Sequence, residues 1–368
     1  MATRWRNNRI TSVARVKTIK KGEKMVQTKE RKTKASKVTT SQTFLASIDP
    51  GNQNIDVVYA KMSVTGSIVS YDDQVHKTVK SLVSEDVEQY TFTQAGLIDG
   101  SGEVTTRQFG IGEYPGAQWI KDSPDGKAQW VLPALIHCMW DDLADVDSIT
   151  VYTSVHNPEA YRAEMKAALN GRFTFVKDDE QKNITVKCDR VLVEGVGAIK
   201  AQNPPTAANL LLDLGGQTVM IAPYSGLKLM SGCDQPYQLL DQGTARLIAE
   251  FAKCRAVNEA LKRVMTYREA RSVIDNPAHT FQGHDFSGAV GKEVHKWLEK
   301  VVGSIEGLAK HHLAECPNRY ATGGAVLIPS VRQWLLDRGY TPVTEPLSAN
   351  VQGVFTLAQA LEQKDAAK

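Results

Sequence analysis

Two segments of the sequence end an apolar run on an aspartate and follow it with glycine. In TFLASIDPGNQNIDVVYAKM (residues 43–62) the aspartate is Asp49, and in NLLLDLGGQTVMIAPYSG (residues 209–226) it is Asp213. A carboxylate at the end of a buried strand is costly unless a ligand engages it, and glycine lets the backbone turn tightly or approach another molecule. Backbone N–H groups of such a turn bind phosphate oxygens, whereas a carboxylate reaches a phosphate only through a hydrated Mg²⁺. The two segments therefore predict a phosphate site at which Asp49 and Asp213 bind magnesium through water.

A third glycine segment points to a nucleotide rather than to phosphate alone. The segment RYATGGAVLIPSVRQWLLDRG (residues 319–339) predicts the end of an apolar strand, a turn at Gly323 and Gly324, and a helix that begins near Pro329. A glycine pair before a helix lets a ribose or an α-phosphate approach the backbone closely. Together with the two aspartate segments, it predicts a site for a nucleoside phosphate.

The two aspartate segments share one plan, which indicates an internal repeat. Each predicts an apolar strand, a polar turn and a second strand. Such a hairpin occurs once in each half of the 368-residue chain, around Asp49 and around Asp213. Because a chain of this length commonly holds two domains, the repeat predicts two similar domains that face each other across a cleft.

The first forty residues differ in composition from the rest of the chain. They hold thirteen Lys and Arg against Glu23 and Glu30, a balance of +11, so the net charge of +3 leaves −8 for the other 328 residues. They also have few large apolar side chains, which predicts a basic, disordered tail over residues 1–40. Three roles are open for it: a solvated extension, a contact with DNA or another polyanion through release of phosphate counterions, and an organelle transit peptide.

Composition argues against several classes of protein. The longest uncharged apolar stretch, residues 130–140, is too short to span a bilayer, and the N-terminus lacks the apolar segment of a signal peptide. The five cysteines are scattered and include no C-x-x-C pair, which argues against disulfides and against a zinc site. We therefore expect a cytoplasmic protein with no membrane span.

The three glycine segments, in this order, resemble the phosphate-1, phosphate-2 and adenosine motifs of the actin and Hsp70-like ATPase superfamily. The matching stretches are IDPGNQNID, LLLDLGGQT and ATGGAVLIPSV. ANVQGVFTLAQAL (residues 349–361) resembles the A-N-x-x-G helix near the end of ParM-type bacterial and archaeal actins. VHNPEAYRAEMKAAL (residues 155–169) is similar to the first connecting helix, and VLVEGVGAIKA (residues 191–201) to the strand and helix that lead into the second domain. The resemblance covers about residues 43–361.

The resemblance implies an α/β, actin-like fold in which two RNase H-like domains face each other across a nucleotide cleft. Domain I would hold residues 41–205 and 342–368, and domain II residues 206–341. The implied activity is ATP-dependent polymerisation into filaments, with ATP hydrolysis controlling filament turnover. ParM-type members move plasmid copies through a DNA-binding adaptor protein, so the expected partners are further copies of this chain, such an adaptor, and plasmid or other DNA cargo. The expected cofactors are Mg²⁺ and ATP or ADP, with GTP as an alternative.

The same resemblance assigns roles to individual residues. It implies a catalytic Asp213 and a water-orienting acid on the first connecting helix, for which Glu164 is the nearest candidate and Glu159 a poorer one. A residue in that role holds the attacking water in line with the γ-phosphate. The implied nucleotide-binding residues are Asp49, Gly51, Asn52, Gln53 and Asn54 on the first loop, Gly215, Gly216, Gln217 and Thr218 on the second, and Gly323 and Gly324 on the nucleoside side.

One residue departs from the family pattern. The first phosphate loop usually ends in a lysine, as D-x-G-x-x-x-x-K, but this position holds Asp56, and the next basic residue, Lys61, is five positions further along the strand. A carboxylate facing the triphosphate would repel it, so either the hairpin register differs or Asp56 turns away. Two alternatives therefore stay open. One is a structural filament that does not hydrolyse nucleotide, and the other is a small-molecule kinase of the same superfamily.

Overall fold

The structure, a computed structural model, describes residues 42–51, 54–65, 67–80, 89–94, 105–110, 124–177, 180–202 and 208–368. The basic tail predicted over residues 1–40 lies outside the described residues, as do Asn52 and Gln53 of the first phosphate loop. The described residues belong to one compact unit. Within them, no helix has the length and apolar character needed to cross a membrane.

The described chain contains both strands and helices, with six strands before the first helix. The strands are β1 (Thr43–Pro50), β2 (Asn54–Thr65), β3 (Ile68–Tyr71), β4 (Val75–Lys80), β5 (Gln89–Gln94), β6 (Thr105–Gly110), β7 (Ser148–Val155), β8 (Gly171–Lys177), β9 (Glu180–Val193), β10 (Ala208–Leu214), β11 (Val219–Ser225), β12 (Lys228–Leu229), β13 (Tyr237–Leu239), β14 (Thr280–Phe281), β15 (His284–Asp285), β16 (Asn318–Thr322) and β17 (Thr341–Pro342). The helices are α1 (Pro124–Met139), α2 (Pro158–Leu169), α3 (Val196–Ala201), α4 (Thr244–Ala252), α5 (Arg255–Leu261), α6 (Tyr267–Asp275), α7 (Ser287–Leu308), α8 (Lys310–Leu313), α9 (Pro329–Asp337) and α10 (Ala349–Ala366).

The first large sheet is built on the hairpin that contains Asp49. Its strands follow the order β3-β2-β1-β7-β9-β8, with β4 paired to β2. β1 and β2 are antiparallel, and β7 runs parallel to β1. Ile48 of β1 packs in a core with Leu135 of α1, whereas Leu45 packs with Phe355 of α10 in a separate cluster. Helices therefore cover both faces, which explains why β1 is apolar at consecutive positions rather than at alternate ones.

The second large sheet repeats this plan around Asp213. Its strands follow the order β12-β11-β10-β16-β17, with β13 paired to β11. β10 and β11 are antiparallel, and β16 runs parallel to β10. Leu210 and Leu212 pack with residues of α4, α7 and α9, whereas Leu211 packs with Ile199 of α3. The two hairpins predicted from the sequence are confirmed, while the proposed domain boundaries stay a prediction.

Helices α3 and α10 cross at close range between these elements. A Cβ atom at Gly197 would overlap the carbonyl oxygen of Asn350, and a Cβ atom at Gly353 would overlap that of Gly197. Only glycine allows two backbones to approach this closely. The A-N-x-x-G stretch at Ala349 therefore has a structural reason for its glycine, because Gly353 seats α10 on α3.

The predicted helix over residues 155–169 is present as α2, but it does not make this crossing. Asn157 is its N-cap and accepts a hydrogen bond from the backbone N–H of Ala160 at 3.1 Å. Met165 and Leu169, four residues apart, are buried, and α2 packs against α1 and β9. Among the described helices, it is α3 that crosses α10, so the segment compared to a connecting helix lies beside the first sheet instead.

Candidate functional site

The turns of both central hairpins and the turn after β16 open into one pocket. Nine of the residues predicted to bind nucleotide or metal line it, namely Asp49, Gly51, Asn54, Asp213, Gly215, Gly216, Thr218, Gly323 and Gly324. The other lining residues are Asp56, Glu194, Thr322, Pro346, Leu347 and Asn350. Gln217 is not among them, although its carbonyl accepts a hydrogen bond from the backbone N–H of Gly243 at 2.9 Å. The structure therefore brings together glycines and carboxylates that the sequence separates by more than 270 positions.

The first turn is tight enough to require glycine. The backbone N–H of Gly51 donates to the carbonyl of Asp49 at 2.9 Å, and a Cβ atom at Gly51 would lie 2.5 Å from the carbonyl oxygen of Asn54. Asp49 and Asp56 are directly opposed across β1 and β2, so their side chains share one face of the hairpin. The turn thus presents two carboxylates to the pocket.

The second turn is fastened to the start of a helix. The backbone N–H of Gly215 donates to the carbonyl of Thr218 at 3.0 Å, and the N–H groups of Thr244 and Ala245 donate to Gly215 and Gly216 at 3.0 and 2.8 Å. A Cβ atom at Gly215 would lie 2.9 Å from the carbonyl oxygen of Thr218. These bonds place the first residues of α4 against the turn, and they hold the glycine backbone in position before any ligand binds.

The third turn packs directly on Asp213. Asp213 and Thr322 are partners in the parallel pairing of β10 with β16, and Gly323 follows with a φ of +92°. A Cβ atom at Gly323 would overlap Oδ1 of Asp213. A non-glycine residue is therefore disfavoured here twice, by the left-handed backbone and by the Asp213 carboxylate.

Asn350 connects the first turn to the crossing of α3 and α10. Its Nδ2 donates to Oδ2 of Asp49 at 2.9 Å and to Oγ of Ser154 at 3.2 Å. Its Oδ1 accepts from the backbone N–H of Gly197 at 3.1 Å. The side chain of Asp49, the strand β7 and the helix α3 therefore meet at one amide, which orients the Asp49 carboxylate.

Four carboxylates line the pocket, those of Asp49, Asp56, Glu194 and Asp213, and none of the described lining residues is a lysine, arginine or histidine. Burial raises the pKa of the Asp56 carboxyl above its usual range, and the hydrogen bonds with Thr78 and His76 lower it only in part. Oxygen donors of this kind fit Mg²⁺, which keeps several of its waters. No group of three His, Cys, Asp or Glu side chains in the described part of the chain is arranged to hold a metal directly.

Glu164 is not brought to this pocket. It lies on the exposed face of α2 and is not among the lining residues, so its predicted role stays untested. Besides Asp56, an acid outside the predicted set that lines the pocket is Glu194, which is 8% exposed. It directly follows the apolar end of β9, residues 191–193, and precedes Gly195, which has a φ of +88°. This is the same carboxylate–glycine signal as at Asp49 and Asp213, and it was available in VLVEGVGAIKA.

Comparisons with known proteins bear on the fold. No protein-family model matches the sequence, and no curated protein matches it. Among solved structures, the archaeal actin homolog Ta0583 in complex with ADP superposes with a TM-score of 0.60 at 13% identity, covering 86% of this chain and 99% of that chain. Bacillus thuringiensis ParM with ATP gives 0.58 at 16% identity, covering 88% and 99%. The apo ParM of psk41 gives 0.57 at 15% identity, covering 88% and 98%.

These neighbours establish the class of structure. The chain has an actin-like α/β fold, which confirms the predicted fold and the predicted resemblance to ParM-type proteins. Sequence identities of 13% to 16% show only that the fold is shared, because proteins of one fold can have different functions. The pocket residues are what distinguish those functions.

Proposed function

We propose that this protein is an actin-like filament protein that binds ATP or ADP with Mg²⁺ in the pocket and hydrolyses ATP to control filament turnover. The observation that carries the proposal is the convergence of three glycine turns on carboxylates at the ends of strands from two sheets. Backbone N–H groups in such turns suit phosphate oxygens. The similar structures include Ta0583 in complex with ADP and Bacillus thuringiensis ParM with ATP, which supports the same class of ligand here.

Within this proposal the two strand-end aspartates hold the cation. Asp49, oriented by Asn350, and Asp213, packed on Gly323, face the pocket from different sheets and bind the ion through its waters. Bound Mg²⁺ supplies charge neutralisation to the phosphates. The turn at Gly215 receives phosphate oxygens, and the turn at Gly323 lies on the nucleoside side.

Among the residues that the structure describes, Glu194 is well placed to orient the attacking water, because it lines the pocket. Its backbone is held from both sheets, because its N–H donates to the carbonyl of Val155 at 2.9 Å and its carbonyl accepts from the hydroxyl of Tyr224 at 2.5 Å. A fixed backbone at this position limits how far the Glu194 side chain can move, and phosphoryl transfer depends on such positioning of the group that holds the water. Glu164 remains the alternative that the resemblance implies.

The experiment for the whole proposal combines electron microscopy with phosphate release. The pure full-length protein with Mg-ATP is expected to form filaments, and phosphate release is expected to rise with filament mass. Filaments without phosphate release would favour the structural filament, an alternative that Asp56 in the pocket supports. Turnover that requires an added acceptor would favour the kinase. Absence of both filaments and nucleotide binding would overturn the proposal.

The cargo is proposed from the same resemblance. ParM-type relatives suggest plasmid or other DNA as cargo, moved through a DNA-binding adaptor, and one neighbouring structure is described as a non-polymerisable quadruple mutant of pCBH ParM. We also propose that the basic segment over residues 1–40 contacts DNA directly. Its net charge is +11, whereas the net charge of the remaining chain is −8.

Deleting residues 1–40 is expected to remove most DNA association of the bare protein while nucleotide binding stays intact, because the described pocket begins at Asp49. For the full chain, the logarithm of DNA affinity is expected to fall by about 0.9 per neutralised phosphate for each tenfold rise in salt. Titration of labelled duplex DNA at several salt concentrations measures both effects. Equal DNA binding by the shortened chain, or no binding by the full chain at low salt, would contradict the contact.

A further inference from the structure

Asp56 occupies the position where the related phosphate loop carries lysine. The structure supports neither a shifted hairpin register nor an Asp56 side chain that turns away from the pocket. The hairpin keeps a register that sets Asp56 directly opposite Asp49, and Asp56 lines the pocket rather than turning away from it. Directly opposed residues of an antiparallel pair have Cβ atoms about 5 Å apart, and like charges there are destabilising. The pair is therefore unfavourable unless something positive lies near it.

Strand β4 holds the Asp56 carboxylate in this position. Asp56 is directly opposed to Thr78 in the pairing of β2 with β4. The Thr78 hydroxyl donates to Oδ1 of Asp56 at 2.5 Å, and Nε2 of His76 lies 3.1 Å from the same oxygen. No hydrogen bond from a described residue reaches Oδ2. Asp56 is 7% exposed and lines the pocket, so Thr78 and His76 hold its carboxylate through Oδ1 at the edge of the pocket.

The negative charge of the pocket favours binding of a nucleotide complexed with a divalent cation over binding of the metal-free nucleotide. Asp49, Asp56, Glu194 and Asp213 all line it, and none of the lining residues that the structure describes is a lysine, arginine or histidine. A free nucleoside triphosphate carries up to four negative charges and would meet carboxylates where related loops present a lysine. Its complex with a divalent cation carries two fewer negative charges and offers coordinated waters, which donate hydrogen bonds to carboxylates.

We propose that Asp56 makes the pocket selective for the divalent-cation complex of the nucleotide and excludes the metal-free nucleotide. This inference rests on the nucleotide site proposed above. Asp56 acts as a specificity residue: its carboxylate would accept hydrogen bonds from the waters that a bound cation would supply, and without the cation it would repel the phosphates. Thr78 and His76 position it for that contact.

The test compares nucleotide binding with and without the cation. A fluorescent ATP analogue is titrated into the full-length protein in excess Mg²⁺ and again in excess EDTA, with the wild type, Asp56→Asn and Asp56→Lys. The wild type is expected to bind at least about 100-fold more weakly in EDTA, the size expected for unit charges about 6 Å apart at an effective dielectric constant of about 20. Asp56→Lys is expected to reduce that ratio at least tenfold by binding the metal-free analogue.

Asp73→Asn is the matched control, because Asp73 is exposed between β3 and β4 and does not line the pocket. It removes the same charge and is expected to leave the ratio unchanged. Asp56→Asn keeps the shape of the side chain, so it tests the charge if Asp56→Lys fails to fold.

Three outcomes would contradict this inference. Equal binding of the wild type in Mg²⁺ and in EDTA would overturn the selectivity while leaving the proposed nucleotide site intact. A ratio that both Asp56 variants leave unchanged would remove Asp56 as its cause. No binding of the analogue in Mg²⁺ would overturn the proposed function, and this inference with it.

Discussion

Asp213→Ala is expected to lower Mg-ATP turnover by at least about 100-fold while the protein stays folded. Asp213 lies next to the last residue of β10 on the pocket side, and a side chain at position 323 would overlap its carboxylate. Alanine removes the only carboxylate that the second hairpin contributes to the pocket within the described residues. The cation would then be held by the first sheet alone, so the phosphates would lose both neutralisation and positioning.

Thermal unfolding separates this loss from a loss of fold. The free energy of unfolding is expected to change by no more than about 1 kcal/mol, because removing one of four carboxylates in a pocket also relieves like-charge repulsion. Asp145→Ala is the matched control, since Asp145 is exposed and does not line the pocket. A folded Asp213→Ala protein with normal turnover would remove Asp213 from the site.

Much of the fold could be predicted because local patterns and long-range structure agree. The run of leucines in LLLDLGG is fully buried in β10, and the glycines that end it form the turn that the sequence predicts. What could not be predicted is the partner of each strand. The pairing of β2 with β4, which sets Thr78 opposite Asp56, depends on tertiary contacts that leave no periodic signal in a single sequence.

The site residues also fall into those that a local sequence pattern predicts and those that only long-range contacts bring to the pocket. Asp49, Asp213 and the glycine turns were found because a polar residue next to glycine after an apolar run is a local signal. The role of Asn350 could not be predicted, because its contacts with Asp49 and Gly197 join positions that are far apart in the chain. Glu194 carried the local signal, but the resemblance directed attention to the helix of Glu164 instead.

Glu194→Gln is expected to slow ATP hydrolysis by about 100-fold or more and to leave nucleotide affinity within a few-fold of wild type. Glutamine keeps the size and the backbone bonds of Glu194 to Val155 and Tyr224. It loses the charge that accepts a proton from the attacking water and orients it. Filaments should therefore still assemble with ATP and should persist longer, as measured by light scattering after nucleotide is depleted.

Glu164→Ala, compared side by side, decides between the two candidate acids. Glu164 lies on the exposed face of α2, and a charge in that position usually changes stability and activity little, so hydrolysis is expected to stay within about twofold of wild type. The resemblance to the connecting helix predicts the reverse, with slow hydrolysis and long-lived filaments in Glu164→Ala. Single-turnover phosphate release on both variants, each first shown to bind ATP, gives the answer. Normal release by Glu194→Gln together with slow release by Glu164→Ala would require α2 to approach the pocket when nucleotide binds, and it would return the water-orienting role to Glu164.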